Sequence, residues 1–362
     1  MEKWFVSAKK ADFKEIGRQF DIDPVIARLI RNRDVTGEKA IQEYLRGTIQ
    51  DIPGPELLKG MKEATSILRQ KIREKKKIRI IGDYDIDGVT ATYILIKGLE
   101  RLGARADTYI PDRITDGYGI HMPLIYKALE DGVDTIVTCD NGIAAAKEIG
   151  FAKEKGLTVI VTDHHEVPFI EDNGERTYIL PPADAVINTK QPGCPYPNKN
   201  LCGAVVAMKL IWALYDGSHI PETEKEEFLE LAAIATVGDV MDLQGENRIL
   251  VKEGLKRLPY TKNKGLQALI RVTGLEGSRI SSYHIGFVLG PCINASGRLD
   301  TAARSLRLLQ CEDSDEAARL AGDLKALNDS RKALTEKGKD AAIQLIENTD
   351  LKNDPILVVY LP

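Results

Sequence analysis

Ile78-Arg79-Ile80-Ile81-Gly82-Asp83-Tyr84-Asp85-Ile86-Asp87-Gly88 is the stretch on which the reading of this sequence turns. An apolar, β-branched run enters a glycine-bounded loop with an acid at every second position. Extended chain alternates its side chains between faces, so Asp83, Asp85 and Asp87 are predicted to project toward one side. Three carboxylates that close together repel unless cations neutralise them. Hard divalent ions take oxygen ligands, which makes Mg²⁺ or Mn²⁺ the natural partner. The D-x-D-x-D-G pattern also opens a calcium loop. That loop demands Glu at its twelfth position, here Ile94, and a helix in front of it rather than a strand.

Outward from this stretch the chain alternates. Val89 to Leu102 reads as a helix ending at Gly103, Ala106 to Ile110 as a strand, and Leu124 to Leu129 as part of a helix. Asp134 to Cys139 is a third strand, Ile143 to Lys155 a helix capped by Gly156, and Leu157 to Thr162 a fourth strand. Repeated strand–helix units predict an α/β fold with a doubly wound, mainly parallel sheet. A short Ala185–Ile187 strand lies in a Pro- and Asn-rich loop. Residues 1–75 read as an N-terminal helical leader broken by Pro53 and Pro55, and 76–310 as the catalytic domain with a helical insert from Gly203 onward. Residues 311–348 form a long, charged connecting helix, and 349–362, ending in DPILVVYLP, the first strand of a second lobe.

At 362 residues the chain exceeds one ordinary domain, and 43% hydrophobic with 29% charged residues is the balance of a water-soluble protein with a sizeable core. No apolar run approaches the ~20 residues that span a bilayer. Met1-Glu2-Lys3-Trp4 lacks a basic-then-apolar signal pattern. Five scattered cysteines without C-x-x-C spacing exclude a zinc knuckle and suit a reduced, cytoplasmic protein. A net charge of −4 excludes a uniformly basic nucleic-acid binder but permits a local basic groove.

Further motifs fall at other strand ends. Asp140, in Thr138-Cys139-Asp140-Asn141-Gly142, reads either as a helix N-cap or as a carboxylate bridging two ions. Asp163-His164-His165 ends the fourth strand. Two histidines behind an acid are hard to explain as packing, and ligands of open α/β sheets bind beyond the carboxyl ends of the strands. Asp163 is then a group that orients a histidine, and His165 a contact for phosphate. Asp239, after Gly238, is either a helix-end acid or a terminal ligand of a second metal. A pair of such ions ~4 Å apart clamps the attacking and leaving oxygens of phosphoryl displacement. Arg298 suits bidentate phosphate recognition or is a solvated turn residue. The loop Asp116-Gly117-Tyr118-Gly119-Ile120-His121 is a simple turn or a holder of His121 or Arg113 near substrate. Cys194 and Cys202 read as small buried thiols, and Lys75-Lys76-Lys77 as a solvated strand entry or one edge of a nucleic-acid track.

The ordered series GDYDIDGVTAT, DGYGI, TCDNGIA, TDHHEVP, LCGAVVAMKL, ATVGDVMDL and GPCINASGRLDTA resembles the DHH phosphoesterase superfamily and, within it, the single-stranded-DNA-specific exonucleases. The resemblance spans roughly residues 20–345; the last motif and the leader of about 80 residues favour that branch. It implies Asp85, Asp87, Asp140, His164 and Asp239 as metal ligands with Asp83 adjoining, and Asp140 bridging two Mn²⁺ or Mg²⁺ ions. His165, Asn294 and Arg298 are implied near substrate phosphates. Also implied are 5′-to-3′ digestion of single-stranded DNA, recombination and repair, a helicase and a single-strand-binding protein as partners, no membrane, and a monomer. Ile86 stands where Ala is usual and Val205 where Gly is common. Other readings are a relative acting on pyrophosphate, short oligonucleotides or cyclic dinucleotides, and an inactive scaffold that has lost its ligands.

Overall fold

The computed structural model describes residues 3, 9–113, 117 and 119–361. Its centre is a five-stranded sheet formed by β1 (Lys77–Ile81), β2 (Arg105–Tyr109), β3 (Thr135–Cys139), β4 (Thr158–Thr162) and β7 (Ala185–Ile187). The order is β2-β1-β3-β4-β7 and every pairing is parallel. Period-two alternation divides the strand residues between two cores. Ile78, Ile80, Val137 and Ile160 pack into one with the helices Met61–Arg73, Ile86–Arg101 and Gly203–Tyr215. Ile81, Ile136, Val159 and Val161 pack into the other with the helices Met122–Glu130 and Ala146–Glu154. Strands buried on both faces are why these segments read as continuous apolar runs. Arg79 is the exception, buried in β1 and answered by Asp107 at its register position in β2 (Nε–Oδ1 2.7 Å) and by Asp131 (Nη1–Oδ2 2.8 Å).

Three short helices, Phe13–Phe20, Pro24–Asn32 and Glu38–Arg46, close a small core of Phe20, Ile30, Val35 and Ile41. The fourth leader helix, Met61–Arg73, joins the main core, with Met61, Ala64 and Leu68 fully covered. The insert supplies the helices Leu229–Gly238, Gly245–Arg257, Lys264–Val272 and Ala303–Gln310. Between the last two runs a helical segment from Ser282 to Leu299, interrupted by a π-turn at Ile285–Leu289. The long helix runs from Ser314 to Glu347, inside the 311–348 expected, and only its first half is covered, through Ala317, Leu320, Ala321, Leu324 and Asn328. No described helix is long and apolar enough to cross a membrane. All five cysteines are buried and free.

Four expectations need correction. The helix after β1 starts at Ile86, not Val89, so the acidic loop is not extended and simple alternation does not apply to it. The helix expected from Ile143 starts at Ala146, capped by Ala145, so Asp140 is not its N-cap. Residues 290–299 form a helix, so Arg298 stands in a last helical turn rather than in a surface turn. Residues 350–353 make a 3-10 turn and 354–361 form no strand pairing among the described residues, because a strand exists only through hydrogen bonds to a neighbour. A hairpin of β5 (Phe169–Asp172) and β6 (Glu175–Tyr178), around Asn173-Gly174, was not anticipated.

Candidate metal centre

The carboxyl ends of β1, β3 and β4 lie side by side, and each delivers acids or histidines to the same end of the sheet. Asp85 caps the helix Ile86–Arg101, its Oδ1 accepting from the N–H of Asp87 (2.9 Å) and Gly88 (3.1 Å). Asp87 sits in the first helical turn, wholly buried, and accepts from the N–H of Gly203 (Oδ2, 2.6 Å) and Ala204 (Oδ1, 2.8 Å). Those donors open the helix Gly203–Tyr215, whose positive end favours an anion. Asp140 adopts a left-handed conformation (φ 61°) that turns the chain out of β3. A Cβ at Gly203 would lie 2.7 Å from Asp140 Cβ, so only glycine lets the helix come this close.

His164 is the hub. Its Nε2 lies 3.0 Å from Asp140 Oδ1, 3.5 Å from Asp87 Oδ2 and 3.7 Å from Asp239 Oδ2. Ligand atoms of Asp87, His164 and Asp239 fall within 4.8 Å of one another, as do those of Asp83, Asp85 and Asp140, and of Asp140, His164 and His165. Asp140 and His164 each belong to two of these groups. Asp163 stands behind them, fully buried. Its Oδ2 accepts from Ile143 N–H (2.9 Å), while Oδ1 meets His164 N–H (2.7 Å), His165 N–H (3.1 Å) and His165 Nδ1 (2.7 Å). It therefore orients the ring of His165.

The electrostatics are those of a carboxylate cluster short of positive charge. Burial, then the charge of Asp85, pushes Asp83 up to about 7. Burial, then Asp87, pushes Asp239 to about 7, and the same causes raise Asp85 and raise Asp140 well above the carboxylate range. Burial holds His164 below its ordinary value, which keeps a neutral imidazole available as a ligand. Burial opposes charge on both partners of the Asp163–His165 pair. Their hydrogen bond and mutual attraction, joined by backbone N–H groups at Asp163 and by the charges of Asp239 and Asp87 at His165, together outweigh it, lowering Asp163 and raising His165. Asp83 Oδ1 and both ring nitrogens of His164 are buried without a hydrogen-bond partner among the described residues. Groups so placed are the donors a divalent cation would satisfy, and a set of carboxylates with imidazole suits Mn²⁺ or Mg²⁺.

The remaining predicted residues stand around this cluster. Asn294 Oδ1 accepts from Ile86 N–H (2.7 Å), docking its helix on the acidic loop. At Gly297 a Cβ would meet Tyr84 O at 2.4 Å, so that helix end also lies flush on the loop. Arg298 is exposed and lines a cavity of about 170 Å³ with Gly238, Asn294 and Arg331. Arg113 lies over the Tyr84 ring at 5.4 Å. His121 lines a cavity of about 450 Å³ with Asp163 and His165. Asp116 and Tyr118 of that loop lie outside the described residues. Lys76 and Lys77 are engaged with Asp134 (3.8 Å) and Asp107 (3.1 Å), as a strand entry would be. Sequence reasoning missed Arg331 of the long helix, held by Asn328 Oδ1 (3.2 and 3.1 Å) and lining the same cavity as Arg298, and nothing local marks it. It also missed the role of Gly203, for which the only signal was a glycine opening an otherwise apolar helix.

Residues 77–236 match the family model described as "DHH family, N-terminal domain". A solved structure of exonuclease RecJ bound to manganese superimposes with a TM-score of 0.71 at 38% identity, covering 82% of this chain and 71% of that one. The chain belongs to the RecJ family. RecJ of Thermus thermophilus in complex with Mn²⁺ superimposes with a TM-score of 0.75 at 34% identity, over 93% of this chain and 46% of that chain. The single-stranded-DNA-specific exonuclease RecJ of Bacillus subtilis is 39% identical over 98% of this chain and 44% of its own length. The chain thus spans about half the length of the curated RecJ relatives it matches.

Proposed function

We propose that this chain is the catalytic part of a single-stranded-DNA-specific exonuclease that hydrolyses phosphodiester bonds from the 5′ end and releases mononucleotides. The observation that carries the reading is the convergence of Asp83, Asp85, Asp87, Asp140, His164 and Asp239 on one sheet edge in a chain of the RecJ family. These six would hold two divalent ions, Mn²⁺ or Mg²⁺, with Asp140 shared between them. When bound, the ions supply the charge that offsets carboxylate and phosphate repulsion and that acidifies the attacking water.

The protein's own groups do the positioning. His165, its ring fixed by Asp163 and biased toward the cation, donates to a phosphate oxygen from Nε2. Arg298 adds a planar guanidinium for a phosphate. Asn294, with Oδ1 committed to Ile86, offers its NH₂ at the same cavity. The helix N-terminus at Gly203 and Ala204 holds Asp87 still, which keeps the cluster preorganised. The reading also carries a role in recombination and repair, a cytoplasmic location, a monomeric state, and work beside a helicase and a single-strand-binding protein.

The test is digestion of a 3′-labelled single strand with Mn²⁺, compared with Asp140→Ala. Progressive shortening with release of mononucleotides, lost in the variant, supports the proposal. Cleavage of dinucleotides or pyrophosphate without digestion of long strands would move the assignment to small substrates. Full activity in the variant would remove the metal cluster from the mechanism.

A further inference from the structure

Two large aromatic side chains stand in solvent on the Ser282–Leu299 segment, the same segment that carries Asn294. Tyr283 and Phe287 are 62% and 66% exposed, and their rings stack on each other at 4.9 Å with 26° between planes. Exposed aromatics of this size cost hydration free energy, and neither ring is covered by the core. The segment beneath them is held firmly. The N–H of Ser281 donates to His284 Nδ1 (3.0 Å), and Ile285 and Leu289 anchor the π-turn in the main core. Single π-turns recur at functional positions.

The segment that carries the pair lines one cationic cleft through Ser281 and another through Gly286 and Gly290. Gly286 and Gly290 line the 170 Å³ cavity with Arg298, Arg331 and Gly238. A Cβ at Gly286 would meet Val237, two residues before Asp239. Ser281 opens a cleft of about 950 Å³ lined by Lys252, Lys256, Arg271 and Arg279 against one acid, Glu276. Arg271 pairs with Glu276 (3.4 Å) and Lys256 with Glu253 (2.6 Å), while Arg279 has no ion-pair partner among the described residues. Tyr260, 85% exposed, stands in that cleft. Ser281 and Gly286 are five residues apart, roughly 7 Å along a helical path. Cations flanking stacked aromatics form the pattern that binds single strands, charge tracking the backbone and rings accepting bases.

We propose that the Tyr283–Phe287 pair is a base-stacking platform over which single-stranded DNA runs between the metal centre and the Tyr260 cleft. This rests on the exonuclease reading above and names further residues that hold its substrate. Stacking tolerates every base, so the platform grips without selecting sequence.

The test compares the binding of a fluorescent dT16 strand with an abasic strand of equal length and charge, in EDTA to prevent cleavage. Wild type is expected to bind dT16 at least about tenfold more tightly than the abasic strand, the scale of one stacked base. Tyr283→Ala combined with Phe287→Ala is expected to bring that ratio close to one. Tyr283→Phe, which keeps the ring, should preserve it, as should Tyr126→Ala on the exposed side of the helix Met122–Glu130, which packs on the other face of the sheet. Photo-crosslinking of a 5-iododeoxyuridine strand to wild type gives a readout independent of variant folding, with the modified peptide expected to contain residues 283–287. A double variant that keeps the full ratio, or crosslinks confined to other peptides, overturns the platform alone. Failure of wild type to bind either strand overturns the single-strand reading with it.

Discussion

Gly203→Ala tests how tightly the acidic cluster is packed. The added Cβ would stand 2.7 Å from Asp140 Cβ, 3.0 Å from its Cα and 2.9 Å from Oδ1. Carbon atoms rest at about 3.5 to 4.0 Å, so a shift of about 1 Å is required. Side-chain rotation cannot provide it, since Cα is among the clashing atoms and Asp140 N–H is tied to Thr162 O at 3.0 Å. The helix Gly203–Tyr215 must therefore retreat, stretching the 2.6 and 2.8 Å bonds that Gly203 and Ala204 donate to Asp87. Overpacking costs about 1–3 kcal/mol and a hydrogen bond to a charged group is worth about 1.5–3. Replacing glycine in a helix returns up to about 1 kcal/mol, less in the first turn. The losses outweigh the gain, and the variant is expected to be about 1–4 kcal/mol less stable. Mn²⁺ affinity should fall about 10- to 100-fold, the usual effect of disturbing what orients a ligand. Thermal unfolding in EDTA and titration calorimetry with Mn²⁺ measure the two effects. Unchanged unfolding together with Mn²⁺ affinity within a factor of about three of wild type would refute the close-approach argument.

Gly322→Ala is the matching control: it lies inside the long helix with nothing within 4 Å of an added Cβ, and should raise stability by about 0.5–1 kcal/mol in the same unfolding assay. The carboxylates predict an unusual pH profile for metal-free protein. Asp83 and Asp239 have folded values near 7 against 3.8, so folding favours their protonated forms; that contribution is complete below the unfolded value and lost as pH rises through about 7. Urea unfolding in EDTA should therefore show stability rising as pH falls from about 8 to about 5, and saturating Mn²⁺ should remove the trend; a flat metal-free profile would contradict the charge crowding. Arg298→Ala and Arg331→Ala should each weaken binding of a single strand about 3- to 30-fold and reduce its salt dependence by one phosphate contact, without altering Mn²⁺ affinity. Anisotropy titrations at several salt concentrations check both.

The sheet and its active edge were legible because local signals carried them. Apolar β-branched runs that are buried on both faces need no partner to be recognised, and acids at the ends of such runs have few structural uses. Asp83, Asp85, Asp87, Asp140, His164 and His165 were singled out in this way, each within seven residues of an apolar strand, and folding brings their ligand atoms together. The conformation of the acidic loop was not legible. Alternation pointed to one side, whereas Asp85 caps a helix and Asp87 turns inward to the N–H groups of a helix 116 residues away.

What the sequence by itself determined is the chemistry on offer: the donor types, their attachment to strand ends, and hence the expectation of a divalent-metal site on a parallel sheet. What only the tertiary structure decided is the company each group keeps. Asp239 was a plain helix-end acid until folding set its carboxylate 3.7 Å from His164. Arg331 joined Arg298 at one cavity, Gly203 became the contact surface of Asp140, and Tyr283 and Phe287 were left stacked in solvent. These relations join residues far apart in the chain, and they depend on ångström-scale packing between elements that no local pattern of residue types encodes.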